Sequence, residues 1–251
     1  MNIPEGKKIY FSSDNHLGAP TPEASLPREK VFVNWLDTVK EDAAAIFLLG
    51  DLFDFWFEYK QVVPKGFVRV LGKLAELSDS GIPIYFFVGN HDLWMNGYFE
   101  NELKIPVFHK PQEFTLGDKL FLIGHGDGLG PGDKGYKRMK KVFVNPFSKW
   151  LFRWLHPDLG VKLAKYLSVK NKLISGDEDI KFLGEDNEWL VKYAQRKLES
   201  KHYDYFIFGH RHLPMEIKVG ENSTYFNLGD WITHFTYGVF DGERFELKKF
   251  E

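Results

Sequence analysis

Five short motifs carry side chains able to hold cations and move protons: Asp14-Asn15-His16, Gly50-Asp51, Gly89-Asn90-His91-Asp92, Gly124-His125-Gly126-Asp127 and Gly209-His210-Arg211-His212. Carboxylate, carboxamide and imidazole are the ligands that suit Mn, Fe or Zn. A pair of such ions is a common apparatus for cutting phosphate esters by water attack. Any one motif alone is weak evidence, since a lone histidine is more often structural than a ligand. All five in one chain, each just beyond an apolar run, argue that residues distant in sequence meet in space.

The elements that must position them follow from the same runs. Ile9-Tyr10-Phe11, Ala45 to Leu49, Ile84 to Val88, Leu120 to Ile123 and Tyr205 to Phe208 are short and strand-like. Residues 24–40, with Val31, Trp35, Leu36 and Val39, and 67–80, with Val70, Leu71, Leu74 and Leu77, have helical spacing. Alternating strand and helix is the grammar of an α/β fold with crossovers, in which ligands gather at the carboxyl ends of strands. After residue 203 strands follow one another; Asp241-Gly242, between Tyr237 to Phe240 and Phe245 to Leu247, signals a hairpin. The C-terminal third is expected to be antiparallel, giving the chain α+β character there and a mixed sheet or two stacked sheets.

The glycines before Asp51, Asn90, His125 and His210 allow sharp turns and close backbone approach. Three other residues stay open. Asp54 supports a ligand or shapes a turn, Asp127 orients a ligand ring or does not, and Arg211 reaches a phosphate or is a spacer pointing away. Gly229-Asp230-Trp231, after the Tyr225 to Leu228 run, is a further candidate to line the site. His109, His156, His202 and His234 match no motif and are read as surface or packing residues.

Composition bounds the rest. The 251 residues suffice for a single domain over 1–251. There is no cysteine, which removes disulfides, thiol catalysis and sulfur-ligated zinc. The start, Met1 to Lys8, is not a secretory segment, and Ala43 to Leu49 is too short to span a bilayer, so a cytoplasmic location is expected. The net charge of −2 conceals a basic stretch: from Lys134 to Lys172 eleven lysines and arginines face the single acid Asp158. This stretch belongs to a helical insertion expected over 130–200. Its apolar positions Met139, Val142, Phe143, Phe147, Trp150, Leu151, Trp154 and Leu155 recur at three-and-four spacing, with Asn145-Pro146 as a helix start. Bases for anionic head groups beside aromatics for an acyl boundary suit a lid lying on a membrane. The alternative is that the stripe packs on a sheet. Arg138, Trp150 and Trp154 are the insertion residues expected to touch substrate.

The five motifs resemble those of the calcineurin-like metallophosphoesterases, D-x-H, G-D, G-N-H-D, G-H and G-H-x-H, over most of the chain outside 130–200. Ser13 to Leu17, Gly50 to Trp56, His125 to Leu129 and the insertion are most similar to the UDP-2,3-diacylglucosamine hydrolases of lipid A biosynthesis. The resemblance implies a sandwich of mixed β-sheets flanked by helices, with the insertion as a lid. It further implies one metal held by Asp14, His16 and His212, another by Asn90, His125 and His210, and Asp51 bridging both. Two divalent ions, Mn²⁺ by expectation and Fe or Zn as substitutes, make hydroxide available near neutral pH and cradle phosphoryl oxygens. His91 is expected to donate a hydrogen bond to the leaving group, with Asp92 orienting its ring; Asn90 and His91 would also touch substrate. The best-known hydrolases of this kind carry arginine at the position of His91.

The implied reaction cuts the pyrophosphate of UDP-2,3-diacylglucosamine to UMP and 2,3-diacylglucosamine 1-phosphate on the cytoplasmic face of the inner membrane. No nucleic-acid partner is expected. A phosphodiesterase or nuclease of the same superfamily, or a scaffold without activity, are the rival readings.

Overall fold

Runs of four to six apolar residues, rich in Phe, Ile and Tyr and closed by glycine, are too short to make helices and form strands instead. The computed structural model describes residues 1–131, 134–164, 166, 182, 184 and 187–251. Part of the expected insertion, with Lys165, Lys170 and Lys172, lies outside them. The elements are β1 (Lys8–Ser12), α1 (Pro22–Val39), β2 (Ala43–Leu48), α2 (Val68–Asp79), β3 (Ile84–Phe87), α3 (Tyr98–Glu102), β4 (Val107–Phe108), β5 (Gln112–Leu116), β6 (Lys119–Ile123), α4 (Lys134–Val144) and α5 (Pro146–Arg153). They continue as α6 (Trp189–Leu198), β7 (Tyr205–Phe208), β8 (Pro214–Gly220), β9 (Ser223–Leu228), β10 (Thr236–Phe240) and β11 (Phe245–Lys249).

Two mixed sheets result, of order β11-β10-β1-β2-β3-β4 and β5-β6-β7-β9-β8. Their facing sides share one core: Ile9, Phe11, Ala45 and Phe47 from the first meet Phe121, Ile123, Ile207 and Phe226 from the second. The alternate residues face helices. Tyr10, Ile46, Leu48 and Phe86 pack on Phe32 and Trp35 of α1 and on Leu74 and Leu77 of α2. On the other side Leu122, Phe206, Phe208 and Tyr225 pack on Leu190, Val191 and Ala194 of α6. Burial on both faces is why the central strands read as continuous apolar runs rather than alternating ones.

Local chemistry places the helix starts. Thr21 caps α1 through Ala24 N–H at 3.2 Å, with Pro22 in the first turn. Asn145 caps α5 through Phe147 N–H at 2.9 Å, with Pro146 next, as its sequence suggested. Helix α2 has no side-chain cap of its own, and the buried Glu29 carboxylate of α1 accepts from Arg69 and Val70 N–H in its place.

The C-terminal third departs from the antiparallel expectation at one pair. Strand β8 turns back as a hairpin on β9 but takes the sheet edge, so β9 slots beside β7 and runs parallel to it. The β10–β11 hairpin is antiparallel, and Asp241 Oδ1 accepts from Glu243 and Arg244 N–H in its turn.

Candidate metal centre

Strands β1, β2 and β3 are parallel neighbours in one sheet, and β6, β7 and β9 in the other. Each is followed by a loop carrying polar residues. Within each sheet the loops of neighbouring strands are tied: Asp14 N–H donates to Gly50 C=O at 3.1 Å, His16 N–H to Asp51 C=O at 2.8 Å and Gly209 N–H to His125 C=O at 2.9 Å. Among the described residues eight non-glycines have positive φ, and Asp14, His16, Asp51, His210 and His212 are five of them. Such conformations cost on the order of 1–3 kcal/mol each and persist only where the surroundings over-determine them. Two glycines make room for the carboxylates: a Cβ on Gly89 would collide with Asp51, and one on Gly209 with Ser13 Oγ and Asp14.

The side chains converge as three overlapping groups, Asp14 with His16 and His212, His16 with Asp51 and His91, and Asp14 with Asp51 and His125. His212 Nε2 lies 3.4 Å from Asp14 Oδ1 and 3.2 Å from His16 Nε2. His125 Nε2 lies 3.4 Å from Asp51 Oδ2 and 3.2 Å from Asn90 Oδ1. The His210 ring stands 5.2 Å from that of His125. Each carboxylate commits one oxygen to the protein: Asp51 Oδ1 accepts from His91 N–H at 2.8 Å, and Asp14 Oδ2 accepts from His210 N–H at 2.9 Å and Ser13 Oγ at 2.5 Å. The other Asp14 oxygen, Oδ1, is buried and accepts no hydrogen bond.

This set fits divalent cations. Bare acceptors and imidazole nitrogens face one another, an arrangement that without positive charge leaves lone pairs opposed. Burial pushes the Asp51 and Asp14 carboxyls up, yet His125, His91 and His16 around Asp51, and His212 and His16 around Asp14, outweigh it and hold both below the ordinary range. Burial pushes the His125 imidazole down, but Asp51, Asp14 and Asp127 carry it up to about 10. A protonated imidazole here answers a demand that a metal cation meets better. His125 Nδ1 faces Leu49 C=O at 2.7 Å, which sets the proton on Nδ1 and turns the Nε2 lone pair toward the cluster, where it could meet a cation.

Residues 7–214 match the model of the calcineurin-like phosphoesterase family. The chain belongs to that family. The UDP-2,3-diacylglucosamine hydrolase of Porphyromonas gingivalis is 38% identical to this phosphoesterase, covering 97% of this chain and 98% of its own. The one of Histophilus somni is 28% identical over 90% of this chain and 92% of its own. Among solved structures, the phosphoesterase Yfce from E. coli aligns with 97% of this chain and 93% of its own, at 17% identity and a TM-score of 0.49.

Around the cluster the phosphoesterase has supports that its motifs left open. Asp54 Oδ1 lies 3.5 Å from both His16 Nδ1 and His91 Nδ1, and its C=O meets His91 Nδ1 at 2.9 Å. Asp230 Oδ2 lies 3.4 Å from His212 Nδ1, while its Oδ1 accepts from Ile232, Thr233 and His234 N–H. Gly229-Asp230-Trp231 therefore adjoins the site, and Trp231 N–H donates to Asp14 C=O at 3.1 Å. Arg28, which no motif singled out, donates to the carbonyls of His16 at 2.7 Å and Ala19 at 2.6 Å. It occupies an ordinary polar position of α1, so spacing offers no signal for it.

One orienting role is corrected. Asp92 does not hold the His91 ring: its carboxylate accepts from Gly89 N–H at 2.7 Å and Leu52 N–H at 2.9 Å, fastening the loop after β3 to the loop after β2. The contact on His91 Nδ1 comes from Asp54 instead. Burial and the nearby Asp51 charge raise the Asp92 carboxyl to about 7.

Arg211 points away from the cluster and is buried against Glu188. Asp127, beside His125, accepts from Tyr136 Oη and from Lys140 Nζ of α4. The insertion has two faces. Phe143 and Phe152 pack inward on Trp94, with Phe152 also on Phe57 and near Ala164. Phe147, Trp150, Leu151 and Trp154 stay exposed, Trp150 at 52% and Trp154 at 72%. Arg138 is exposed too. These three insertion residues thus lie on the surface of α4 and α5, with Trp150 against Trp154 and Phe147.

Proposed function

We propose that this phosphoesterase hydrolyses the pyrophosphate of UDP-2,3-diacylglucosamine, water adding across the P–O–P bridge to release UMP and 2,3-diacylglucosamine 1-phosphate. The observation that carries this reading is the convergence of Asp14, His16, Asp51, Asn90, His125 and His212 in a chain that matches hydrolases of that name over nearly its whole length. Asp14, His16 and His212 would hold one divalent cation and Asn90, His125 and His210 the other, with Asp51 shared. Mn²⁺ is the ion proposed. Bound cations supply a nucleophile at neutral pH and neutralise charge on the phosphoryl oxygens.

The protein's own groups do the rest. With Nδ1 turned to the Asp54 carbonyl, His91 as the imidazolium would donate a hydrogen bond from Nε2 to the departing phosphate. That leaving group has a second pKa near 6, so charge stabilisation suffices in place of full proton transfer. Asn90 and His91 are the residues of this loop proposed to touch substrate.

The acylated half of the substrate has a place to go. A cavity of about 730 Å³ opens beside the cluster, with Asp54 in its wall and Leu17, Leu26, Phe55, Val63, Phe67 and Val161 among its lining. A largely apolar cavity beside a phosphate-cutting site suits a lipid with a charged head. Residues 130–200 serve as a lid within the single domain. Arg138, Trp150 and Trp154 face a membrane surface, where tryptophan rings sit at the acyl boundary and cations meet anionic head groups. Among the described residues no helix is long and apolar enough to cross a membrane. The reading is of a peripheral enzyme on the cytoplasmic face of the inner membrane.

Incubation of the purified protein and Mn²⁺ with UDP-2,3-diacylglucosamine should release UMP, and EDTA should stop it. Cleavage of single-stranded DNA or a simple aryl diester with no UMP from the lipid nucleotide would refute the substrate.

A further inference from the structure

We infer that Glu188 is a positioning residue for the metal loop after β7, acting through Arg211, and that this pair couples the end of the insertion to cation binding. The inference rests on the reading of His210 and His212 as ligands. Arg211 lies between them in sequence, and both neighbours hold positive φ, of 72° and 50°. Arg211 as a residue is 5% exposed, and its guanidinium is bound in bidentate fashion by Glu188, which is fully buried: Nε to Oε2 at 3.0 Å and Nη2 to Oε1 at 3.1 Å. Glu188 is the residue before α6, where the insertion rejoins the second sheet. Next to it Leu190 packs so closely over the Gly126 turn that a Cβ there would strike it at 2.9 Å.

Charge explains why the pair matters. A fixed cation built into a loop that must hold two metal ions opposes them unless an anion offsets it. Glu188 supplies that anion at bonding distance while keeping the guanidinium turned from the ligands. The planar fork also restricts rotation of the residue between the two histidines, which helps keep their strained backbone in place. A matching tie exists at the insertion's other end, where Lys140 Nζ lies 2.5 Å from Asp127, two residues after His125. Both ends of the insertion are therefore fastened to loops that carry expected ligands of the same metal pair.

The test is cation affinity, read apart from turnover. In metal-stripped full-length protein, Glu188→Gln keeps the shape and removes the Glu188 charge from beside the guanidinium. Its Mn²⁺ affinity, by competition with a fluorescent chelator, is expected to fall about 10–100-fold, the range seen when a support of a ligand is lost. At saturating Mn²⁺, kcat should recover more than the affinity does. Glu188→Asp should retain part of the affinity, and the doubly neutral Glu188→Gln/Arg211→Gln should restore it to within a few-fold of wild type. A purely structural pair would instead lower the melting temperature of Glu188→Gln while leaving Mn²⁺ affinity unchanged, and that result overturns the inference alone. A wild-type protein that binds no divalent ion would overturn the ligand reading and this inference with it.

Discussion

The loops at the strand ends and the outer face of α4 and α5 both invert the usual distribution of side chains, in opposite senses. In the loops, carboxylates and imidazoles are buried; on the helices, tryptophan, phenylalanine and leucine stand in water. The first inversion persists because each buried charge has a partner: Asp51 and Asp14 face imidazoles, Asp92 takes two backbone N–H groups, and Arg211 meets Glu188. The second persists because α4 and α5 are anchored by their other side, Phe143 and Phe152 on Trp94. An inward charge implies a ligand that completes it, and an outward aromatic cluster implies a surface that covers it.

The largest effect belongs to the buried side of this contrast. Asp51→Asn keeps volume and the bond to His91 N–H while removing the charge proposed to be shared by both cations. Hydrolysis should fall by more than roughly 10³-fold, and metal analysis should show fewer than two ions per chain. A variant that stays active and fully loaded would break the bridging assignment and leave the inward charges without their ligand.

The two faces of the insertion should respond oppositely. Trp150→Ala with Trp154→Ala removes side chains that touch each other and water, so folding stability should change by about 0.5 kcal/mol or less. Sedimentation with anionic vesicles should show clearly weaker binding. Phe152→Ala empties a contact with Phe57 and Trp94 and should cost roughly 2–3 kcal/mol with vesicle binding of the folded protein kept. Equal vesicle binding by wild type and the double tryptophan variant would return that face to ordinary surface.

How far the chain could be read beforehand follows the same division. The strands of the central sheet, α1, α2 and the β10–β11 hairpin announce themselves through period and turn chemistry, because burial on known faces imposes spacing. The expected ligand loops announce themselves because glycine and ligand are adjacent. The supports do not: Arg28, Glu188 and the role of Asp92 depend on which segments, distant in sequence, the fold brings side by side, and no local pattern encodes that. The place of β9 beside β7 was hidden for a similar reason, since a hairpin motif says which strands pair in sequence but not which one takes the edge. The faces of the insertion were ambiguous because one apolar stripe at three-and-four spacing serves packing and exposure alike.

The smallest expected effect tests the charge of the cluster itself. In metal-free protein the folded state holds a proton on His125 up to about pH 10, because Asp51, Asp14 and Asp127 outweigh its burial. The unfolded chain releases that proton near its ordinary value of 6.5. A group raised in this way contributes fully below pH 6.5 and loses its contribution as pH climbs towards 10, at no more than about 1.4 kcal/mol per pH unit for one proton. Asp92, raised to about 7, tilts stability the same way at lower pH. With chelator present, the melting temperature should therefore decline from pH 7 to 9. With saturating Mn²⁺ the cation takes the place of the proton and the decline should flatten, because ligand binding now favours the deprotonated imidazole. A chelated protein whose melting temperature holds level or rises over that range would mean that the carboxylates do not act on His125 as their distances indicate.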